Sequence, residues 1–487
     1  MPLAPRPRRL AAVALTAAAV LVLPLALAAC DAKSYPNSTF LPHTEFGQAI
    51  DDLWNLLLRI GTLVFIFVEG LLVITIIRYR RKPGAQPPRH VHGNTTLEIL
   101  WTIIPAVILV FIAVPTVKTI FKTEAKASAD ALQVEVYGHQ WWWEFRYPQY
   151  GVTTANELYL PIGRKVNFAL RTQDVLHSFW IPQLGGKRDL ISNHTNYLWF
   201  TPDASMATSA WNGTCNEYCG ASHANMKFRV FVVPGADFAK WATHQAGPSV
   251  FDVSAAAPVP PTPPVTPPAA PAPPAPPARR SAARPINNGT GIVHPVAAIV
   301  GPGGARVGTP VGTPVGTPVG TPVGAPAAQP APSDSPTIVQ GGAQATSDGD
   351  VFPRDSLRPY NIPATPTPEG LAFTPGLVGD AARGQKVYSV SACIGCHTIK
   401  GNPSSVGITG PNLTHVASRF TIAAGLYPND TDHLRLWIKN ARLMKPGVLM
   451  LTLGLNQIDP QTRARVTAGG LTDQQIADIT AYLQALK

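Results

Sequence analysis

Charged residues are scarce in this chain. Asp, Glu, Lys and Arg make up 14% of its 487 residues, compared with about 25% in typical soluble domains. The shortage indicates that part of the chain crosses a membrane, and it argues against a wholly soluble protein. The length exceeds that of one ordinary domain, so several domains are expected.

Cysteine is also rare. The chain has five cysteines, and each lies in a short motif: Cys30, Cys215, Cys219, Cys393 and Cys396. None is left over for a structural disulfide, which excludes a disulfide-stabilised fold. Proline and glycine, in contrast, are abundant at 51 and 40 residues, and they are concentrated in one region.

That region, residues 246–375, predicts a disordered linker. Ala/Pro runs come first, and the unit Val-Gly-Thr-Pro then repeats four times from Val307 to Pro322. Such a composition cannot bury enough apolar surface to offset the entropy of ordering. As a flexible coil the linker would span roughly 60 Å, which is enough for a tethered domain to approach a partner site and leave it.

The first 30 residues have the pattern of a signal peptide, with a basic end followed by an Ala/Leu/Val run. Leu27-Ala-Ala-Cys30 is similar to a bacterial lipoprotein box, which predicts a lipid anchor on Cys30. The alternative is an ordinary signal peptide that is cleaved near Ala28 and leaves Cys30 as a free thiol.

Residues 31–125 contain two apolar stretches, roughly Leu53–Ile77 and Leu97–Phe121, that are long enough to cross a bilayer. The loop between them carries five basic residues, Arg78, Arg80, Arg81, Lys82 and Arg89. Basic loops stay in the cytoplasm, so both outer ends of this hairpin and all residues after Phe121 are expected outside. The sequence therefore predicts a multi-pass protein of a bacterial cell membrane with its large domains on the extracytoplasmic side.

Residues 126–245 are expected to form an all-β domain. Short runs rich in Val, Tyr, Trp and Phe alternate with turn residues, and no helical period stands out. This pattern is typical of a small antiparallel sandwich or barrel. One such run, Lys227–Val233, directly follows the stretch Cys215–Met226.

The stretch Cys215–Met226 holds two thiols, an imidazole and a thioether within twelve residues: Cys215, Cys219, His223 and Met226. These soft ligands favour copper over magnesium or calcium. Zinc is a weaker alternative, because zinc sites seldom use Met and a structural zinc needs a closed four-ligand shell. Two thiolates on one loop can bridge two copper ions, and a second His must then come from elsewhere.

His177 is the candidate for that second imidazole. It lies in Asp174–Pro182, a short apolar and aromatic segment after the strand-like run Lys165–Arg171. A lone His in such a place is usually a core residue. Together, however, His-Ser-Phe-Trp-Ile-Pro and Cys-Asn-Glu-Tyr-Cys-Gly-Ala-Ser-His-Ala-Asn-Met resemble the copper A site of cytochrome c oxidase subunit II.

The resemblance implies a cupredoxin fold for the β domain and a binuclear copper A centre. It assigns the copper ligands to six residues: His177, Cys215, Glu217, Cys219, His223 and Met226. The cysteines would bridge the two coppers, each histidine would bind one copper, and the thioether and the Glu217 carbonyl would be weak axial ligands. The Glu217 carboxylate would also reach a magnesium ion shared with subunit I.

The same resemblance assigns roles outside this loop. Trp141, the first Trp of Gly138–Phe145, would lie at the surface near copper and receive the electron from cytochrome c, while other rings of this cluster pack in the core. Glu98, at the start of the second helix, would lie at the mouth of a proton pathway into subunit I. The alternative for Glu98 is an acid that simply stabilises a helix N-terminus. Glu69 in the first helix is expected to contact subunit I, and Asp189 lies in a loop facing it.

Residues 376–487 contain Cys393-Ile-Gly-Cys396-His397, the Cys-x2-Cys-His motif of covalent haem c attachment. The two cysteines would bond the haem, and His397 would bind its iron. In isolation the motif could instead be a zinc or thiol-redox pair. Gly410–His415 and a C-terminal helix resemble those of small bacterial cytochromes c, which implies an all-α cytochrome c domain.

The sixth iron ligand should be a Met, because Met/His ligation raises the haem potential. Met450 follows Lys445-Pro-Gly, as the ligand does in the family, and is the first candidate. A Leu rather than the usual Pro comes after it, so Met444 remains the alternative.

Nearly all of the chain outside the linker resembles subunit II of a haem–copper terminal oxidase with a fused cytochrome c domain. The resemblance implies an electron-entry subunit, in which electrons pass from a soluble or membrane-bound cytochrome c, or from its own haem c, through copper A to a haem of subunit I. Oxygen reduction and the coupled proton translocation would belong to subunit I, since the two helices offer no His set for that chemistry. Subunits I and III and membrane lipid are the expected partners, and no nucleic acid is expected.

Two alternatives share some of these features. A copper A-containing nitric oxide reductase would combine the same copper and haem domains with a different large subunit. A copper-delivery protein also uses a Cys-x3-Cys and a distant His, but it has no reason to carry a haem motif.

Overall fold

The structure is a computed structural model that describes residues 38–80, 84, 92–125, 127–249, 251 and 365–487. Four predictions fall wholly or partly outside these residues. They are the signal peptide, the lipid anchor at Cys30, three of the five basic residues of the hairpin loop and most of the linker.

Two long apolar helices open the described chain, α1 (Glu45–Tyr79) and α2 (Thr95–Glu124). Each begins at a capping side chain, since Thr44 and Asn94 each accept a hydrogen bond from a backbone N–H of the first turn. At 35 and 30 residues, both helices are long and apolar enough to cross a bilayer. They extend beyond the predicted apolar spans because their polar ends continue the same helical backbone.

Ten strands follow in the described part of the chain, and they form two five-stranded sheets. They are β1 (Leu132–His139), β2 (Trp142–Tyr147), β3 (Val152–Ala155), β4 (Glu157–Pro161), β5 (Val166–Thr172), β6 (His177–Trp180), β7 (Arg188–Leu190), β8 (Asn196–Phe200), β9 (Ser209–Cys215) and β10 (Lys227–Val233). The first sheet has the order β3-β2-β1-β5-β8, and the second has the order β4-β10-β9-β6-β7. Neighbouring strands are antiparallel except in the pairs β1–β5 and β4–β10, which are parallel. Buried residues of both sheets share one apolar cluster, as in a cupredoxin-like sandwich.

Aromatic rings fill this cluster. Phe179 of β6 and Phe228 of β10 stack with their ring centroids 5.0 Å apart, and Trp143 of β2 packs against both rings. The helix α3 (Gly235–Ala246) covers part of the sandwich, where Trp241 stacks on Tyr159. Close packing of large rings makes the core stiff, so the ends of β6 and β9, where candidate ligands lie, are held in place.

The C-terminal domain is mainly helical. Its elements are α4 (Ala381–Val390), α5 (Cys393–Cys396), β11 (Thr421–Ile422), β12 (Tyr427–Pro428), α6 (Thr431–Met444) and α7 (Asp473–Ala485). The helices α4 and α7 cross at Gly384, where an added Cβ would lie 1.9 Å from the carbonyl oxygen of Asp478. Only glycine permits so close an approach. Tyr388 of α4 and Tyr482 of α7 pack beside the crossing with ring centroids 5.5 Å apart.

The predicted fold class is confirmed: two long apolar helices, a cupredoxin-like sandwich and a mainly helical C-terminal domain. The sequence predicted a disordered linker, but the described residues at both of its ends pack on the C-terminal domain. Ser249 N–H donates to the carbonyl oxygen of Lys400 at 3.2 Å, and Phe251 packs on Tyr482 with ring centroids 5.4 Å apart. Leu371 is buried in the core of the C-terminal domain. These residues are ordered because each buries apolar surface or pairs a backbone group there.

Candidate functional site

The candidate copper ligands come from two neighbouring strands and one loop. His177 is the first residue of β6, and Cys215 is the last residue of β9. The two strands pair with Phe179 opposite Cys215, which brings His177 beside the loop. The loop is closed by a hydrogen bond of 3.1 Å from Cys215 N–H to the carbonyl oxygen of Met226. Strand pairing and loop closure together collect the donors in one place.

The two imidazoles lie at different sulfurs. The Sγ atoms of Cys215 and Cys219 are 3.8 Å apart. His177 Nδ1 lies 3.8 Å from Cys215 Sγ, and His223 Nδ1 lies 3.6 Å from Cys219 Sγ. Metal–sulfur and metal–nitrogen bonds are roughly 2.3 and 2.0 Å long, so each imidazole–sulfur pair is close enough to share one ion. The two thiols and the two imidazoles thus lie close enough together to serve as metal ligands.

Two weaker donors lie beside the sulfurs. Met226 Sδ is 3.9 Å from Cys219 Sγ, and the carbonyl oxygen of Glu217 is 3.3 Å from Cys215 Sγ. Glu217 is exposed, whereas Cys215 and Cys219 are buried. Within the described residues, the donor atoms of His177, Cys215 and Cys219 all lie within 4.8 Å of one another. A donor set of thiols, imidazoles, a thioether and a carbonyl suits a soft metal such as copper.

Protonation of these ligands is coupled. A hydrogen bond from Cys219 lowers the pKa of Cys215, and the same contact raises the pKa of Cys219. Cys215 therefore ionises first, and binding of a metal cation favours the thiolate form of both residues. Burial opposes protonation of His177, but hydrogen bonds to Asp174 and Cys215 outweigh it and raise the pKa of the imidazole.

Asp174 orients the His177 ring. His177 is fully buried, and its Nε2 lies 2.8 Å from Asp174 Oδ1. The carboxylate can only accept at that distance, which assigns the imidazole proton to Nε2. The lone pair of Nδ1 is then directed toward Cys215 Sγ, as a metal ligand requires.

Trp141 is buried, whereas the resemblance implied that it lies at the surface. Only 8% of the residue is exposed. Its Nε1–H donates to the carbonyl oxygen of Cys219 at 2.9 Å, and Gln140 Nε2–H donates to the same oxygen at 2.8 Å. The C-terminal domain covers the ring, since an added Cβ on Gly447 would lie 2.8 Å from its carbons. The difference arises because this chain's own second domain occupies the surface around Trp141.

The candidate haem ligands line one cavity of the C-terminal domain. Cys393, Cys396, His397 and Met450 all border it. His397 Nδ1 lies 2.8 Å from the carbonyl oxygen of Pro411, so Nε2 remains for an iron ion. Burial lowers the pKa of His397, which keeps the imidazole in the neutral form that binds metals.

The two candidate methionines lie in different places. Met450 borders the cavity, whereas Met444 packs in the apolar core of the C-terminal domain and is 4% exposed. The geometry therefore favours Met450. Gln140, Trp141 and Trp142 of the β domain border the same cavity, so a haem held by Cys393 and Cys396 would adjoin these residues.

Three predicted acids lie outside both sets of ligands. Glu69 on α1, Glu98 on α2 and Asp189 on β7 all have exposed side chains. None of them borders the haem cavity among its described lining residues. Exposed acids on an apolar helix are expected to face a protein partner rather than lipid.

Four residues of the site were given no role from the sequence: Gln140, Glu157, Asp174 and Lys445. Asp174 had a local signal, because it precedes His177 by three residues in the same segment. Gln140 and Lys445 lie inside motifs that were assigned to other residues. Glu157 had no signal, because it accepts a hydrogen bond from Phe420 N–H, 263 positions along the chain.

Three family models match the chain. They are the transmembrane domain of cytochrome c oxidase subunit II over residues 43–119, its periplasmic domain over residues 151–233, and cytochrome c over residues 381–487. The first match falls on α1 and α2, the second on the sandwich and the third on the C-terminal domain. These domain types imply a copper A centre and a haem c.

Individual relatives are similar to part of the chain. Cytochrome c oxidase subunit 2 of Alkalihalophilus pseudofirmus is 40% identical over 206 residues, which cover 41% of this chain and 59% of that protein. The probable cytochrome c oxidase subunit 2 of Rickettsia prowazekii is 33% identical over 221 residues, which cover 41% of this chain and 69% of that protein. A solved structure, the periplasmic domain of subunit II of cytochrome oxidase of Bradyrhizobium japonicum, is 29% identical and covers 25% of this chain and 96% of that one, with a TM-score of 0.23.

The chain spans only 49–65% of the length of its relatives from Alkalihalophilus and Bacillus. The Rickettsia protein, in contrast, is matched over more than two thirds of its length. Because both subunit II domains are matched as well, the chain belongs to the cytochrome c oxidase subunit 2 family.

Proposed function

We propose that this chain is the electron-entry subunit of a haem–copper terminal oxidase. It would take electrons from a cytochrome c on the extracytoplasmic side of a bacterial membrane and pass them toward subunit I, which reduces oxygen to water with proton translocation. The observation that carries the proposal is a pair of thiols, 3.8 Å apart, with an imidazole 3.6–3.8 Å from each.

In this proposal, copper would be held by two thiolates, two imidazoles, a thioether and a backbone carbonyl: Cys215, Cys219, His177, His223, Met226 and the Glu217 carbonyl. When bound, the coppers and a covalent haem c would supply one-electron chemistry. The stiff sheet and the buried position of the sulfurs keep water out and hold the donors fixed, so little rearrangement accompanies a change of charge. Asp174 holds the His177 ring in the orientation that binding needs.

Cys393 and Cys396 would anchor the haem, and His397 and Met450 would hold its iron. Trp141 would stand between the two centres, since its ring borders the haem cavity and its Nε1–H donates to Cys219. We therefore propose Trp141 as the electron-entry residue of the copper domain, with this chain's own haem domain as the immediate donor.

Further assignments belong to the same proposal. The Glu217 carboxylate would bind magnesium together with subunit I, and Glu98 would lie at a proton-pathway entrance. Subunits I and III, membrane lipid and an external cytochrome c are the proposed partners, and Cys30 is the proposed lipid anchor. The proposed domain limits are 31–125, 126–245 and 376–487, with a signal peptide before them and the linker 246–375, whose described ends pack on the C-terminal domain, between the last two.

Metal analysis and spectroscopy of the purified complex test the proposal. We expect two copper ions per chain and an electron paramagnetic resonance spectrum of one unpaired electron shared between them. Zinc, or a single easily removed copper, would contradict it. Turnover of nitric oxide instead of oxygen by the same complex would retain the centres but assign them to a reductase.

A further inference from the structure

The C-terminal domain rests on the copper domain through a buried carboxylate. Glu157, the first residue of β4, is only 2% exposed. Its Oε1 accepts hydrogen bonds from the Phe420 N–H at 2.7 Å and from the Thr421 N–H at 3.0 Å. One side chain of the copper domain thus pairs with two buried backbone donors of the other domain.

Two buried arginines balance this carboxylate, one from each domain. Arg229 lies opposite Glu157 in the parallel pair β4–β10, and Arg419 directly precedes Phe420 in the chain. Burial lowers the pKa of both guanidinium groups to about 10, and the charge of Glu157 opposes that effect. Loss of the carboxylate would leave two buried cations without this counter-charge, which is costly.

The β-hairpin formed by β11 and β12, whose first residue bonds to Glu157, also forms a wall of the haem cavity. Residues 421–424 border the cavity together with Trp141. Phe420, at the start of the hairpin, joins the apolar core of the copper domain, with its ring centroid 5.1 Å from that of Phe231. The contact of this β-hairpin with the copper domain therefore determines the position of the haem cavity relative to Trp141.

A second contact closes the interface over the copper loop. Lys445 Nζ donates to the carbonyl oxygens of Trp141 at 2.6 Å and Ala423 at 3.1 Å. Ser222 Oγ–H donates to the carbonyl oxygen of Pro446. With these contacts made, a soluble protein cannot reach the Trp141 ring.

We propose that Glu157 is a positioning residue for electron transfer within this chain. It holds the haem domain against the copper domain so that the haem cavity adjoins Trp141. In this position the haem domain prevents soluble donors from reaching the Trp141 ring. A soluble cytochrome c then delivers its electron to the haem domain first. The effect on electron transfer rests on the function proposed above, whereas the contact between the two domains does not depend on that function.

Rapid mixing of the complete oxidase complex with reduced soluble cytochrome c tests the proposal. In the wild type, we expect haem c to be reduced first and copper afterwards. In Glu157→Gln, the side chain keeps its size but loses its charge, and we expect haem-to-copper transfer to slow by at least about tenfold. Copper reduction should also cease to lag behind haem reduction, because soluble donor now reaches Trp141 directly.

Hydrogen exchange gives a second readout that needs no electron transfer. The amides of residues 416–424 should exchange faster in Glu157→Gln, while the copper resonance spectrum and the haem absorption stay as in the wild type. Glu157→Asp retains the charge and should recover most of the rate. Glu135→Gln is the matched control, because Glu135 pairs with Arg171 within the copper domain and should leave rate and exchange unchanged.

Wild-type electron transfer and wild-type exchange in Glu157→Gln would overturn the proposal. If that variant loses its copper, Phe420→Ala decides instead, because it weakens the interface from the haem-domain side and leaves every copper ligand in place. Unchanged rate and exchange in Phe420→Ala would equally overturn the proposal. If the wild-type complex shows no copper signal, the proposed function fails, and the exchange comparison alone still decides the seating.

Discussion

At the scale of the residue, the two ring nitrogens of His177 have different partners. Nε2 bonds to Asp174 at 2.8 Å, and Nδ1 lies 3.8 Å from Cys215 Sγ. Asp174 is itself held by the N–H of Gln140 at 2.7 Å. The ring orientation is thus fixed by groups outside the candidate ligand set, as is typical of histidines that bind a metal.

Asp174→Asn should therefore weaken copper binding without removing a ligand. The amide cannot supply the charge that supports Nε2–H, and we expect roughly 10–100-fold lower copper affinity. Competition of the purified complex with a copper chelator measures the change. Asp203→Asn is the control, because Asp203 is exposed and bonds within its own turn to Ser205. Equal affinity in the two variants would show that Asp174 does not act on the ligand.

The two methionines of the haem domain should respond differently to truncation. Met450→Ala should abolish the long-wavelength absorption of sulfur–iron ligation in the ferric haem, because Met450 borders the haem cavity. Met444→Ala should retain that band and instead lower the free energy of unfolding by about 2–5 kcal/mol, because it leaves a cavity in the core. Absorption spectra and urea unfolding of both variants make the comparison. Loss of the band in Met444→Ala alone would reverse the assignment.

At the scale of the element, the copper site divides into a local and a non-local part. Cys215, Cys219, His223 and Met226 share one loop, and their spacing alone predicts a soft-metal site. His177 joins them only because β6 pairs with β9. Pairing of strands distant in sequence leaves no periodic signal, so His177 was a candidate only because the loop lacks a second imidazole, and the resemblance then assigned it. The strands themselves were predictable from short β-branched and aromatic runs.

The loop after Met450 depends on a single carboxylate. Asp459 accepts hydrogen bonds from the N–H groups of Gln461 and Thr462, both at 2.9 Å, and from Arg442 of α6 at 2.8 Å. Burial alone would raise the pKa of Asp459, but these bonds outweigh it and lower the pKa from 3.8 to about 2. The folded loop therefore favours the ionised form of Asp459.

This pKa shift gives the haem domain an acid dependence. A lowered pKa means that Asp459 adds stability above about pH 4, and that this stability is lost as the pH falls toward about 2. Asp459→Asn should lower the stability near neutral pH and flatten its decline in acid, measured by urea unfolding of the haem absorption at a series of pH values. Asp432→Asn, at a carboxylate that is 70% exposed, should leave the profile unchanged. A profile of Asp459→Asn parallel to the wild type would contradict the assignment.

At the scale of the whole molecule, the order of domains was predictable but their contact was not. Composition separates the apolar helices, the β runs and the haem motif, because each has its own residue pattern. The contact depends on Glu157, Phe420 and Lys445, which carry no local signature. The resemblance placed Trp141 at the surface, and nothing in its own segment indicates that Gly447 lies over it.

Described residues on both sides of the segment 252–364 contact the haem domain. Phe251 packs on Tyr482, and Thr374 N–H donates to Asp473 at 3.1 Å. This segment keeps the haem domain covalently attached, but we expect the contacts at Glu157 and Lys445 to determine how that domain approaches Trp141.

Deleting the four Val-Gly-Thr-Pro units, residues 307–322, should accordingly change little. Effective concentration varies only as about the −3/2 power of linker length, so the haem-to-copper rate should stay within about twofold of the wild type. Rapid mixing of the complete complex measures it, and a Gly/Ser replacement of equal length is the control. A fall of about tenfold in the deletion but not in the replacement would mean that linker length governs the encounter. The seated interface would then be too short-lived to set the rate.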